Sequence, residues 1–224
     1  MCPTVRALLA SAIAASLSIV AQGCSSPSTG PTVSGAGVGP LSIAPLNTYS
    51  GYDGTHKYRV PLGVLGGGSD LKITASPPKA VSFETTRLID PMGDLSTYFF
   101  VTTQAAGEVT ITASSGGKSV SAKITITAYP ASDYSIGEMR YVNGEASDPP
   151  CLTCHGEQGG IDHSPTRLAP VTDAQALTAI LTGIEPSGDP VPTPKHSWAV
   201  TDAEKKGLLS YLRAIPPKGF QNAK

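Results

Sequence analysis

Cysteine is scarce in this chain: four residues in 224, at positions 2, 24, 151 and 154. So few thiols cannot build the disulfide framework that staples small secreted scaffolds. Charge is sparse as well, with 16 Lys and Arg against 17 Asp and Glu for a net charge of −1. No basic patch stands out, so the electrostatic footprint of a nucleic-acid binder is missing. Methionine is confined to Met1, Met92 and Met139. No apolar run reaches the roughly 20 residues that span a bilayer comfortably. Apolar residues still make up 40% of the chain, with mean hydropathy near zero, enough to support globular cores.

What is present converges on one pentapeptide, Cys151-Leu152-Thr153-Cys154-His155. C-x-x-C-H is the attachment signature of a covalently bound c-type haem. Two thiols about one helical turn apart can add to the two vinyl groups of one porphyrin, and the next residue sets an imidazole beneath the iron. The expected cofactor is therefore a single haem c, with Cys151 and Cys154 as covalent anchors and His155 as proximal axial ligand. A zinc site is a poorer reading, because structural zinc favours two histidines about three to five residues apart, whereas His163 and His196 lie far apart.

The N-terminus has the layout of an export signal: a basic start at Arg6, an apolar run, then small residues before Cys24. Val20-Ala21-Gln22-Gly23-Cys24 resembles the lipobox of bacterial lipoproteins, with Gln22 an imperfect fit. That resemblance implies cleavage of residues 1–23 and acylation of Cys24, a membrane anchor through lipid, and a periplasm-facing place in the cell envelope. Ser25 implies the outer membrane by the family's sorting preference. An ordinary cleaved signal is the alternative. On the lipoprotein reading every thiol is assigned without a disulfide: Cys2 discarded, Cys24 lipidated, Cys151 and Cys154 on haem.

Residues 24–40 are rich in Ser, Gly, Pro and Thr, a flexible tether with a reach on the order of 25 Å. From 41 to 129 the pattern has period two. Leu71, Ile73 and Ala75 alternate with polar residues, as do Val109, Ile111 and Ala113, and Val120, Ala122, Ile124 and Ile126. Further strands are expected over Tyr58 to Leu65, Val81 to Thr86 and Tyr98 to Thr103, with a turn at Ser115-Gly116-Gly117-Lys118. Such short strands between turn signals read as an antiparallel sandwich. The stretch from Gly107 to Thr127 resembles the closing half of a bacterial Ig-like domain, which implies a spacer or docking role. His56, beside Gly and Lys with no second ligand nearby, reads as an exposed loop residue. Among Tyr98, Phe99 and Phe100 at least one is expected to face solvent.

After Tyr129-Pro130 the period becomes helical. Ile136 to Tyr141 is a short helical candidate. Thr172-Asp-Ala-Gln175 and Thr201-Asp-Ala-Glu204 are capping boxes, and they open helices with apolar stripes at Leu177, Ile180, Leu181 and Ile184 and at Leu208, Tyr211, Leu212 and Ile215. Pro216-Pro217 ends the second. Gly137-x-x-x-Tyr141, the haem motif with Gly156, a middle helix and a final helix resemble a class I cytochrome c domain over residues 133–224. The expected fold class is thus two domains, an all-β Ig-like sandwich followed by a mainly α cytochrome c-like domain. The resemblance implies that Gly137 lets the C-terminal helix cross closely. It also makes Pro165, with Pro170 nearby, the proline whose carbonyl receives the proximal histidine's other N–H. Residues Val142 to Pro150 are a longer insertion than the family carries.

Most members of that family place a methionine before the final helix, and this chain has His196 there. His196 is the expected distal ligand, with His163 as rival and an open distal position as the alternative. A Met/His pair raises the potential of a haem, so a bis-His pair predicts a lower one. The expected role is outer-sphere electron transfer with redox partner proteins of the envelope rather than enzymatic catalysis. A haem sensor or peroxidatic enzyme with an open site, and an adhesion or interaction module, are the competing readings.

Overall fold

Period-two alternation becomes strands in the computed structural model, which describes residues 40–85, 88–89, 97–145, 148–156, 162–191, 196–219 and 221–222. The signal at 1–23, the tether over 24–40 and Cys24 lie outside the described residues, Pro40 apart. The strands are β1 (Ser42–Ala44), β2 (Asn47–Tyr52), β3 (Arg59–Leu65), β4 (Lys72–Ser76), β5 (Val81–Thr85), β6 (Leu88–Ile89), β7 (Thr97–Thr103), β8 (Gly107–Ser115), β9 (Lys118–Ala128) and the terminal β10 (Gln221–Asn222). Two four-stranded sheets result, ordered β1-β3-β7-β5 and β2-β9-β8-β4, beside a small β6–β10 pair.

The inward residues of both sheets meet in one core. Val60, Leu62 and Val64 of β3 and Val101 of β7 pack with Val109, Ile111 and Ala113 of β8 and with Ala122, Ile124 and Ile126 of β9. These alternate along each strand, as pleating requires. Gly116 and Gly117 take φ of 57° and 74° between β8 and β9, the left-handed pair that matches a two-residue hairpin to strand twist.

Two expectations need correction here. The pairing is not wholly antiparallel, because β2 runs parallel to β9. None of Tyr98, Phe99 and Phe100 is exposed: Tyr98 is half-buried, Phe99 faces the core, and Phe100 is covered by the Arg59 guanidinium 4.3 Å above its ring. The boundary near Pro130 is where strands give way to helices. The described residues fall within one compact unit.

The helices are α1 (Ala131–Asn143), α2 (Cys151–His155), α3 (Pro165–Leu168), α4 (Asp173–Thr182) and α5 (Asp202–Ala214). Both capping boxes form, with the Thr172 and Thr201 hydroxyls accepting the Gln175 and Glu204 amides and the returning side chains accepting the threonine amides. Helix α1 begins five residues before the expected Ile136, directly after Pro130. It crosses α5 at glycine on both sides: a Cβ on Gly137 would stand 1.9 Å from the Gly207 carbonyl oxygen, and one on Gly207 would stand 2.6 Å from the Gly137 nitrogen. The insertion before Cys151 does not prevent this crossing. Its Glu145 and Asp148 pair as an antiparallel bridge.

The helices are joined to the sheets through polar and aromatic groups. The Tyr49 N–H of β2 donates to the Ala169 carbonyl at 2.7 Å. Asp173 accepts from Thr127 and Tyr129 at the end of the sheet and from Arg213 of α5. Tyr58, Tyr129, Ala176 and Leu209 form a buried cluster across the junction. Among the described residues, no helix is long and apolar enough to cross a membrane.

Candidate functional site

Pro150 caps the short helix α2, and its single turn carries Cys151, Cys154 and His155. Residues three apart on a helix are neighbours, so the two thiols share a face. Neither is in a disulfide. Cys151 is half-buried and its Sγ accepts the Trp198 indole N–H at 3.3 Å, while Cys154 is exposed. Burial pushes the Cys151 thiol up, opposed by the Trp198 bond and by the Arg140 charge.

Three histidines meet beside this turn. The His155 ring stacks on His163 with centroids 3.6 Å apart and planes 20° from parallel. His196 stands edge-on to His155, 5.8 Å away at 82°. The first pair is in face-to-face contact and the second meets edge to face. Tyr141 meets His163 edge to face, its hydroxyl 3.5 Å from Nδ1. Burial, helped by the nearby His155, His196 and Lys218, takes the His163 pKa down to about 3. Burial also lowers His196, with His155 adding and Glu185 opposing. Both rings are therefore neutral near pH 7, the form in which imidazole binds metals.

The segment bearing His196 is held from three directions. Gly183, in the left-handed conformation at φ 70° after α4, lets the His196 backbone approach so closely that a Cβ would meet its carbonyl oxygen at 2.5 Å. Trp198 donates its backbone N–H to the Ile180 carbonyl at 3.0 Å and stacks on the His196 ring at 5.3 Å. Asp148 accepts the Ala199 amide at 3.1 Å and the Arg140 guanidinium at 2.9 Å, and Arg140 reaches on to the Ala199 carbonyl and to Glu204. Arg140 and Asp148 are both buried, so this pair is screened little by solvent.

Apolar walls complete the surroundings. Tyr141, Leu208 and Leu212 are buried, and Cys151, Leu168, Ile180, Val200, Tyr211 and Ile215 pack on them while remaining partly exposed. Pro165 is buried at the first position of α3, and its carbonyl accepts the Ala169 amide. Among the described residues no group of three or more His, Cys, Asp and Glu side chains is arranged to hold a metal ion by itself. The donors instead line an apolar surface, two thiols and a histidine on one turn with further imidazoles beside it. Sequence reading singled out Cys151, Cys154, His155, His163 and His196, and the structure brings all five to this region. It missed Gly183 and the Arg140–Asp148 pair, whose only signals were a glycine after a helix and two charges in an apolar setting.

His56 departs from its expected exposure. Its ring is only partly exposed, bonded to Asp53 and stacked on Tyr134.

A scan of protein-family models finds no match to the chain, and comparison with curated proteins finds none either. Among solved structures, the chain is similar to domains 4 and 5 of the S-layer protein SbsC, with 16% identity and a TM-score of 0.28 over 40% of this chain. It spans about half the length of that structure, 52%. A likeness of this degree carries no argument about fold or function.

Proposed function

We propose that this chain is a monohaem c-type cytochrome of the cell envelope, anchored through Cys24 and passing single electrons by outer-sphere transfer. One observation carries the reading: Cys151, Cys154 and His155 share a helical turn, with His196 edge-on to His155 and partly exposed apolar side chains alongside. This donor set fits a flat apolar ligand bearing a metal. When bound, haem c supplies a one-electron iron couple.

The roles of the chain's own residues follow from their positions. Cys151 and Cys154 would hold the porphyrin covalently, and His155 and His196 would bind its iron. Leu168, Ile180, Val200 and Ile215 exclude water, and a drier setting strengthens each electrostatic contact. Gly183, Trp198 and the Arg140–Asp148 pair fix the segment that presents His196. His163 is the nearer ring to His155, but contact stacking suits a wall against the proximal imidazole better than a ligand opposite it. The Pro165 carbonyl, which accepts the Ala169 amide, has a second lone pair that would receive the other N–H of His155. The α1–α5 crossing at Gly137 and Gly207 supports the cytochrome c-like reading of 133–224, and the two facing sheets support the Ig-like reading of 41–129. With two imidazoles to bind the iron, electron transfer with envelope redox proteins would be favoured over catalysis.

The test is spectroscopic. Protein exported and matured with haem should retain it through acid-acetone extraction and show a low-spin ferric spectrum, and His196→Ala should turn that spectrum high-spin and responsive to cyanide. Absence of covalent haem sinks the assignment. An unchanged His196→Ala spectrum, with His163→Ala becoming high-spin instead, transfers the distal role to His163.

A further inference from the structure

A second constellation lies where the loop between β2 and β3 meets α1 and α5. Asp53, its side chain wholly buried, accepts the Thr55 and His56 amides on one carboxylate oxygen at 2.8 and 2.7 Å. Its other oxygen is 2.6 Å from His56 Nδ1 and accepts the Tyr58 hydroxyl at 3.2 Å. Tyr58 also bonds Ser210 of α5 at 2.8 Å. Burial works to raise the Asp53 pKa, but the His56 amide, the His56 ring and the Thr55 amide together outweigh it and leave the carboxyl below its ordinary value. An ionised carboxylate at Nδ1 fixes the proton on that nitrogen, so Nε2 of the neutral ring is an acceptor. The ring is clamped further by its stack on Tyr134, 3.6 Å away and 10° from parallel. Among the described residues, no group hydrogen-bonds Nε2.

His56 and Tyr134 line a cavity of about 260 Å³ together with Lys57, Arg59, Ala214 and Pro216. Lys57 bonds Glu84 at 2.8 Å, and Arg59 bonds the other oxygen of the same carboxylate. Glu84 is shared between the two cations, and the Asp53 carboxylate lies behind His56. The lining therefore combines two cationic side chains, an oriented acceptor nitrogen and an apolar side, with both carboxylates outside the wall itself.

We propose that this cavity binds a small phosphate that carries an O–H. Lys57 and Arg59 take the anionic oxygens, and His56 Nε2 accepts the O–H. Ala214 and Pro216 close the apolar side. Because the walls come from both the sheets and the helices, a bound phosphate stabilises their junction by mass action. The inference stands on this cavity alone and does not depend on haem.

The experiment follows the His56 ring resonances of the full chain by NMR at fixed pH and ionic strength while inorganic phosphate is added, with sulfate, which has no O–H at neutral pH, as the comparison. Phosphate should give a saturable shift, with sulfate binding about fivefold more weakly. Lys57→Ala removes a side chain that is 58% exposed, so the fold is retained, and phosphate binding should weaken about fivefold while Lys57→Arg restores it. No saturable shift with phosphate, sulfate binding as tight as phosphate, or unchanged binding in Lys57→Ala each overturns the proposal.

Discussion

The sheets and the helices of this chain solve burial in different ways. Between the sheets, the core is made of aliphatic side chains from four or more strands, many with essentially no solvent exposure, such as Leu62, Val101, Ile111 and Ile124. Around α2, only Tyr141, Leu208 and Leu212 are buried among the apolar residues of their cluster, and they are ringed by partners that stay partly exposed. The helices rely instead on buried charge, with Arg140 and Arg213 each only 3% exposed and each paired to an aspartate. An aliphatic core is indifferent to direction and tolerates repacking. A buried ion pair is directional, and losing one partner strands the other. The helical region thus holds its loops in fixed positions, which is what presenting a ligand requires, while the sheets need only exclude water.

Two substitutions separate these modes. Asp148→Ala leaves Arg140 buried with Glu204 as its remaining carboxylate and frees the Ala199 amide. Breaking a buried pair from one side costs about 3 to 5 kcal/mol, so urea unfolding should show a loss near the lower end of that range. On the proposed haem reading, loss of this anchor beside the His196 segment should also alter the axial spectrum. Ile124→Ala deletes aliphatic volume from the sheet core, with an expected cost of about 2 to 5 kcal/mol. It should leave the axial spectrum unchanged. If Ile124→Ala perturbs that spectrum as much as Asp148→Ala, the division between a directional and an indifferent core fails. Both should unfold in a single transition, because Asp173, Tyr58 and Tyr129 tie the regions together.

The same contrast explains what was legible beforehand. Strands β4, β8 and β9 were readable because their apolar residues alternate, and β3, β5 and β7 as short apolar runs bounded by turn signals. Strand β2 was not, since it turns Thr48 and Ser50 inward, inverting the pattern, and its parallel pairing with β9 has no local signal. Both capping boxes and the cysteine–histidine turn were legible because their chemistry lies within five consecutive residues. The contacts that weld the halves were hidden for the opposite reason: Tyr58 and Ser210 are 152 residues apart, and Arg213 and Asp173 are 40 apart. His163 was named only as a rival ligand, because ring stacking on His155 depends on the path of a loop. His56 read as exposed because nothing in sequence brings Tyr134 over its face.

The smallest expected effect tests the junction through pH. Asp53 has a folded pKa below its unfolded value near 3.9. As pH falls below about 4, the unfolded chain therefore takes up a proton at this position that the folded chain refuses, and stability declines. Its contribution is fully present above the unfolded pKa and is lost as pH drops through the depressed folded one. Asp53→Asn removes the titration while leaving an acceptor for the Thr55 and His56 amides. The variant should be less stable than the parent at pH 7 by about 1 kcal/mol or less, and the gap should narrow between about pH 4 and pH 3. Urea midpoints measured across that interval decide the matter. A gap that stays constant with pH would mean that the Asp53 charge adds nothing to folding, and that the loop is held to α5 by the Tyr58–Ser210 bond and the aromatic stack alone.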